Sequence, residues 1–86
     1  MTCRIDRLSI EHSVVLRISG RITGEDLDVL RTALEEGRVV ALDLTEVALV
    51  DRDAVKLLAH TEMTGIELRH CPAYIREWVT RERGRR

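Results

Sequence analysis

Apolar and polar residues alternate at the start of the chain, where Cys3 and Ile5 stand against Arg4 and Asp6, and again where Val14, Leu16 and Ile18 stand against Val15, Arg17 and Ser19. A period of two predicts strands over residues 3–8 and 14–19. Their proximity predicts an opening hairpin, although residues 9–13 hold no glycine to mark its turn. The period then changes. Thr23 is a good N-cap, Glu25 and Asp26 suit the positive end of a helix dipole, and Leu27, Leu30, Ala33 and Leu34 recur at helical spacing. A helix over 24–36, stopped at Gly37, follows. Residues 39–44 are nearly continuous in apolar character, which predicts a strand buried on both faces at the centre of a sheet.

Asp51 is placed to cap a second helix, with Val55, Leu58, Ala59 and Met63 on one side and Gly65 at its end. Residues 66–68 read as a short strand. Pro72 suits a first helical turn, and Ile75, Trp78 and Val79 at i, i+3 and i+4 form a third amphipathic segment. The order strand, strand, helix, strand, helix, strand, helix predicts an α/β domain: a mixed four-stranded sheet with about three helices, each strand-helix-strand crossover making its strands parallel. The domain is expected over 1–80, with 81–86 as a frayed basic tail.

Length and composition narrow the function classes. Eighty-six residues suffice for one small domain, and 44% hydrophobic with 34% charged residues allow it to fold beneath a heavily charged surface. Fourteen basic and fifteen acidic side chains sum to -1, which supplies no global field for nucleic acid or anionic lipid. Tyr74 and Trp78 are the only aromatic residues, too few for a base-stacking platform. No apolar run reaches the roughly 20 residues that span a bilayer, and Arg4, Asp6 and Arg7 interrupt the start where a secretory signal would be continuous. With Cys3 and Cys71 alone, a reducing cytoplasm is the expected setting. The expected partners therefore include neither nucleic acid nor a membrane.

Few residues carry recognisable chemistry. Asp43, Asp51 and Asp53 surround the expected end of the central strand, where open α/β sheets bind ligands, and could together hold a hard cation such as Mg²⁺. A Mg²⁺-dependent or phosphate-handling enzyme is the reading these three carboxylates would support. The plainer reading has Asp51 capping, Asp53 complementing the dipole and Asp43 bonding to backbone. Cys3, Cys71, His12, His60 and His70 show no paired zinc-ligand spacing, so no metal or cofactor is expected. The five glycines form neither a nucleophile elbow nor a phosphate cradle. Arg76, Arg81, Arg83, Arg85 and Arg86 concentrate positive charge near the end, broken by Glu77 and Glu82, and fit a solvated helix terminus better than a phosphate grip.

Val40-Ala41-Leu42-Asp43-Leu44, then Val47-Ala48-Leu49-Val50-Asp51-Arg52-Asp53-Ala54 and an amphipathic helix, preceded by Leu16-Arg17-Ile18-Ser19-Gly20-Arg21-Ile22, resembles the STAS family in order and spacing. That family includes the bacterial anti-sigma factor antagonists. The resemblance implies a non-enzymatic protein-protein interaction module whose binding face is the loop and helix start over 47–56, with Asp51, Arg52, Asp53, Ala54 and Lys56 as contacts. In the family, a short apolar stretch leads to Asp, then two hydroxyl residues and Gly. Here Asp51 matches the Asp, Arg52 and Asp53 replace the hydroxyls, and Ala54 replaces the Gly. Asp53 thus occupies the phosphoacceptor position without a hydroxyl, which excludes phosphorylation there and suggests a permanently phosphorylated-like state. The implied partners are an anti-sigma factor-like kinase or, for a STAS-like accessory subunit of a bacterial ABC lipid-transport system, a transport ATPase. Family members continue with a further strand and helix, whereas this sequence ends at Arg86. A homodimer covering Ile75 and Trp78, or the free sheet edge, is the corresponding expectation.

Overall fold

The computed structural model describes residues 3–84. Its elements are β1 (Cys3–Ile10), β2 (Ser13–Ile22), a single 3₁₀ turn (Gly24–Asp26), α1 (Leu27–Glu35), β3 (Val39–Val50), α2 (Arg52–Met63), β4 (Glu67–Arg69) and α3 (Ala73–Arg83). The strands form one mixed sheet in the order β1-β2-β3-β4, antiparallel between β1 and β2 and parallel thereafter. The α/β architecture is the one that the periodicities predict.

The hairpin closes tightly, with Ile10 opposite Ser13 and Glu11 at φ 54° in the left-handed region. A non-glycine residue there explains why no turn signature marks the sequence.

Both central strands are longer than expected. β2 runs on through Gly20, whose φ of 88° few side chains tolerate, and β3 runs on through Val50. Register shifts fall between Arg17 and Ser19 and between Gly20 and Arg21. Each irregularity changes which face the next residue takes, so Val47 and Val50, three apart, are both buried. The stretch expected as a loop ahead of α2 is therefore strand, and only Asp51 separates it from the helix.

Leu16, Ile18, Leu42, Leu44 and Leu68 share one core with Leu30 of α1, Val55 and Leu58 of α2, and Ile75 and Val79 of α3. The helices thus cover a single face of the sheet. Arg7, on that face, donates to the carbonyls of Glu36 (2.7 Å) and Ala33 (3.0 Å), closing the end of α1. Ile75 is 0% exposed. That corrects its expected role as an oligomer contact: its side chain is already consumed by the chain's own core, while Trp78 is half-buried beside it.

α3 corrects the expected boundary at 80 as well, because it continues through Arg83, three residues into the segment set apart as a tail. Arg85 and Arg86 lie outside the described residues. No helix among the described residues is long and apolar enough to cross a membrane.

Candidate functional site

The carboxyl ends of the two parallel central strands meet at Asp51. Its extended backbone leaves β3 and its Oδ1 accepts from the N–H of Ala54 at 2.9 Å, an N-cap of α2. Oδ2 accepts from the N–H of Gly24 at 2.8 Å, and the N–H of Asp51 donates to the carbonyl of Ile22 at 3.2 Å. One side chain thereby fixes the β2–α1 connection to the start of α2.

Across the junction, Thr23 opens the first turn. The buried carboxylate of Asp26 accepts from its N–H (3.0 Å) and hydroxyl (3.1 Å). Asp26 is therefore more than a dipole partner. Burial foremost, then the nearby Asp26 carboxylate, raises the pKa of the Cys3 thiol and keeps it protonated.

On this rigid frame three charged side chains of α2 stand exposed. Arg52, Asp53 and Lys56 are exposed, and no hydrogen bond or ion pair joins them to other described residues. Asp53 sits in the first turn of α2, where the helix dipole favours an anion. A Cβ built on Gly24 would lie 3.5 Å from its Oδ2 and 3.9 Å from Oδ2 of Asp51, so the two carboxylates flank that glycine. Ala54 is 0% exposed and its N–H is taken by Asp51, so its side chain offers a partner nothing. This corrects its place among the expected contacts. Beside Asp53 runs an open groove of about 530 Å³ between α1 and α2, lined by Leu27, Arg31, Asp53, Lys56, Leu57 and His60.

The expected trio of carboxylates does not assemble. β3 carries Asp43 in its first half, eight residues before Asp51, a separation on the order of 25 Å along an extended strand. Asp43 accepts from the hydroxyl (2.6 Å) and N–H (3.0 Å) of Thr45 and faces Arg17 at 3.6 Å. The Thr45 hydroxyl chiefly, with its N–H, His70 and Arg17, holds the carboxyl below its ordinary pKa against the opposing effect of burial. No group of three or more His, Cys, Asp or Glu among the described residues could hold a metal ion. A cation bridging Asp43, Asp51 and Asp53 is thus excluded by geometry.

Arg76, Arg81 and Arg83 are used internally. Arg76 grips both oxygens of Glu62 at 2.7 Å, Arg83 reaches the same carboxylate at 2.8 Å, and Arg81 pairs with Glu77 at 2.9 Å. Glu62 is held below its ordinary pKa, first by the Arg76 hydrogen bonds. Burial raises the pKa of Cys71, which Arg76 partly offsets.

Sequence reasoning overlooked the Asp51–Gly24 bond, which joins residues 27 apart and leaves no local signal. Asp26 did leave one, since Thr-x-x-Asp is the spacing of a capping box. The chain matches no protein-family model and no curated protein.

Proposed function

We propose that this chain is a non-enzymatic protein-protein interaction module of the STAS type, whose partner contacts Arg52, Asp53 and Lys56 at the start of α2. The observation that carries the reading is the contrast within the six residues 51–56. Asp51 locks the backbone of the junction from inside, while three charged neighbours stay exposed and have no side-chain partner among the described residues. A backbone already held in place spares the cost of ordering a loop on binding, and the exposed charges it carries select a partner by complementary charge. The order of elements around the mixed sheet supports the same reading.

The test is capture of partners from the source cell with wild type, Arg52→Glu and Asp53→Lys, followed by affinity measurement with each captured protein. A specific partner should lose at least tenfold in affinity to both variants. Unchanged affinity of every partner would overturn the site. A kinase-like anti-sigma factor would mark a switch with a fixed state, and its binding to Asp53→Ser and Asp53→Asn tests whether the carboxylate imitates phosphate. A transport ATPase captured equally by wild type and Asp53→Ser would assign the accessory-subunit form of the module, which needs no phosphoacceptor.

A further inference from the structure

The sheet face turned away from the helices carries a second pattern, independent of the α2 junction. The strand register sets Asp6 opposite Arg17, Arg17 opposite Asp43 and Asp43 opposite Arg69. Residues directly opposite on neighbouring strands point to the same face, so one row crosses all four strands with charges alternating minus, plus, minus, plus. Arg7, adjacent to Asp6, reaches α1, which puts Asp6 and the rest of the row on the uncovered side. The side chains of Asp6, Arg17 and Arg69 are 39%, 50% and 46% exposed, and that of Asp43 is 15% exposed. In the next row, Leu8, Val15 and Ala41 are followed by Glu67. Leu8 at 40% and Ile10 at 61% are among the exposed large apolar residues of the chain.

Reversing this row exchanges every sign. A two-fold axis lying between two copies and parallel to the central strands carries β1 of one copy onto β4 of the other, and β2 onto β3. Asp6 then faces Arg69 of the second copy, and Arg17 faces its Asp43. All four positions pair with opposite charge; in the neighbouring row Val15 and Ala41 are already buried in their own chain, and Leu8 stands opposite Glu67 of the second copy. An axis along the strands also keeps the two sheets within the roughly 30° of aligned packing. We infer that this open face is a self-complementary surface, on which a second copy of the chain docks face to face.

Three strands of about eight residues and β4 of three residues, at about 4.8 Å between strands and about 3.3 Å per residue, give on the order of 400 Å² per copy and 850 Å² in all. That lies at the lower edge of specific interfaces and is rich in charge, so the dimer is weak and sensitive to salt. Arg4 and Glu67 already pair with Asp6 and Arg69 in their own chain, and these pairs open or are shared when the copies meet.

Sedimentation equilibrium of the full chain at about 100 μM in about 20 mM salt should show a dimer, with at least tenfold weaker association at about 500 mM salt. Arg17→Glu alone places like charges against each other, as does Asp43→Arg alone, so each should be monomeric. An equimolar mixture should recover a heterodimer, because Glu at 17 then faces Arg at 43 across the interface. Asp6→Arg with Arg69→Glu, at exposed edge positions, repeats the test should the first pair fail to fold by circular dichroism. Monomeric wild type, dimers that survive in the single variants, or mixtures of both pairs that stay monomeric would overturn the inference.

Discussion

At the C-terminal end of α2, Glu62 accepts hydrogen bonds from Arg76 and Arg83 and ties the helix to α3. At the N-terminal end, no side-chain hydrogen bond or ion pair joins Arg52, Asp53 or Lys56 to another described residue, although Asp51 beside them is fully engaged. The charges at one end join two helices, and those at the other stand exposed to solvent. Residues 51–56 carry four formal charges and residues 59–65 only Glu62, so charge density does not mark the anchored end, and three-dimensional pairing does.

α3 is anchored within its own chain through Ile75, and the largest effect tests that anchor. Ile75→Ala should cost about 2 to 5 kcal/mol by leaving a cavity in the core, measured by urea unfolding. Because Ile75 packs within one chain, the loss should not vary with protein concentration. A dependence on concentration would return Ile75 to an intermolecular contact.

Next in size is the frame of the junction. Asp51→Ala removes the acceptor for the N–H groups of Ala54 and Gly24 and should cost about 1 to 3 kcal/mol. Asp51→Asn keeps one carbonyl oxygen and should fall between. If both variants match wild type in stability, the junction is not held by this side chain.

The C-terminal clamp should contribute less, being partly open to solvent. Glu62→Gln should lower stability by about 1 to 2 kcal/mol near neutral pH. Because folding depresses the pKa of Glu62, its contribution is present above the unfolded value of about 4.3 and is lost as pH falls through the folded value. The gap in Tm between wild type and Glu62→Gln should therefore narrow between about pH 6 and pH 3. A gap that stays constant would show that the carboxylate charge is not what joins α2 to α3.

These pairings also mark how far the sequence could be read. Period and caps were enough for the order of elements, the mixed sheet and the Asp51 cap, since each depends on neighbours a few residues away. The extensions of β2 and β3 were hidden because bulges put Val47 and Val50 out of phase with a period of two. Ile75, Trp78 and Val79 marked an apolar face on α3, but the pattern is the same whether α2 or another copy covers it. The Glu62 clamp joins residues 14 and 21 apart, and the charge row on the open face exists only through strand register. Both are products of topology rather than of local spacing.

The smallest effects on stability belong to the free end of α2, and their smallness is what distinguishes a partner surface from a structural one. Arg52→Glu adds an anion near the helix N-terminus, breaks no existing pair, and should raise stability by a few tenths of a kcal/mol. Asp53→Ser removes an anion at the same end and should lower it by a similar amount. Thermal unfolding of the two variants should thus differ in sign while both stay within about 0.5 kcal/mol of wild type. Arg52→Glu should nevertheless weaken a partner's binding at least tenfold, whereas Glu62→Gln should lower stability and leave binding unchanged. A large loss of stability in Arg52→Glu would mean that its charge is paired inside the fold, and the two ends of α2 would then not differ in kind.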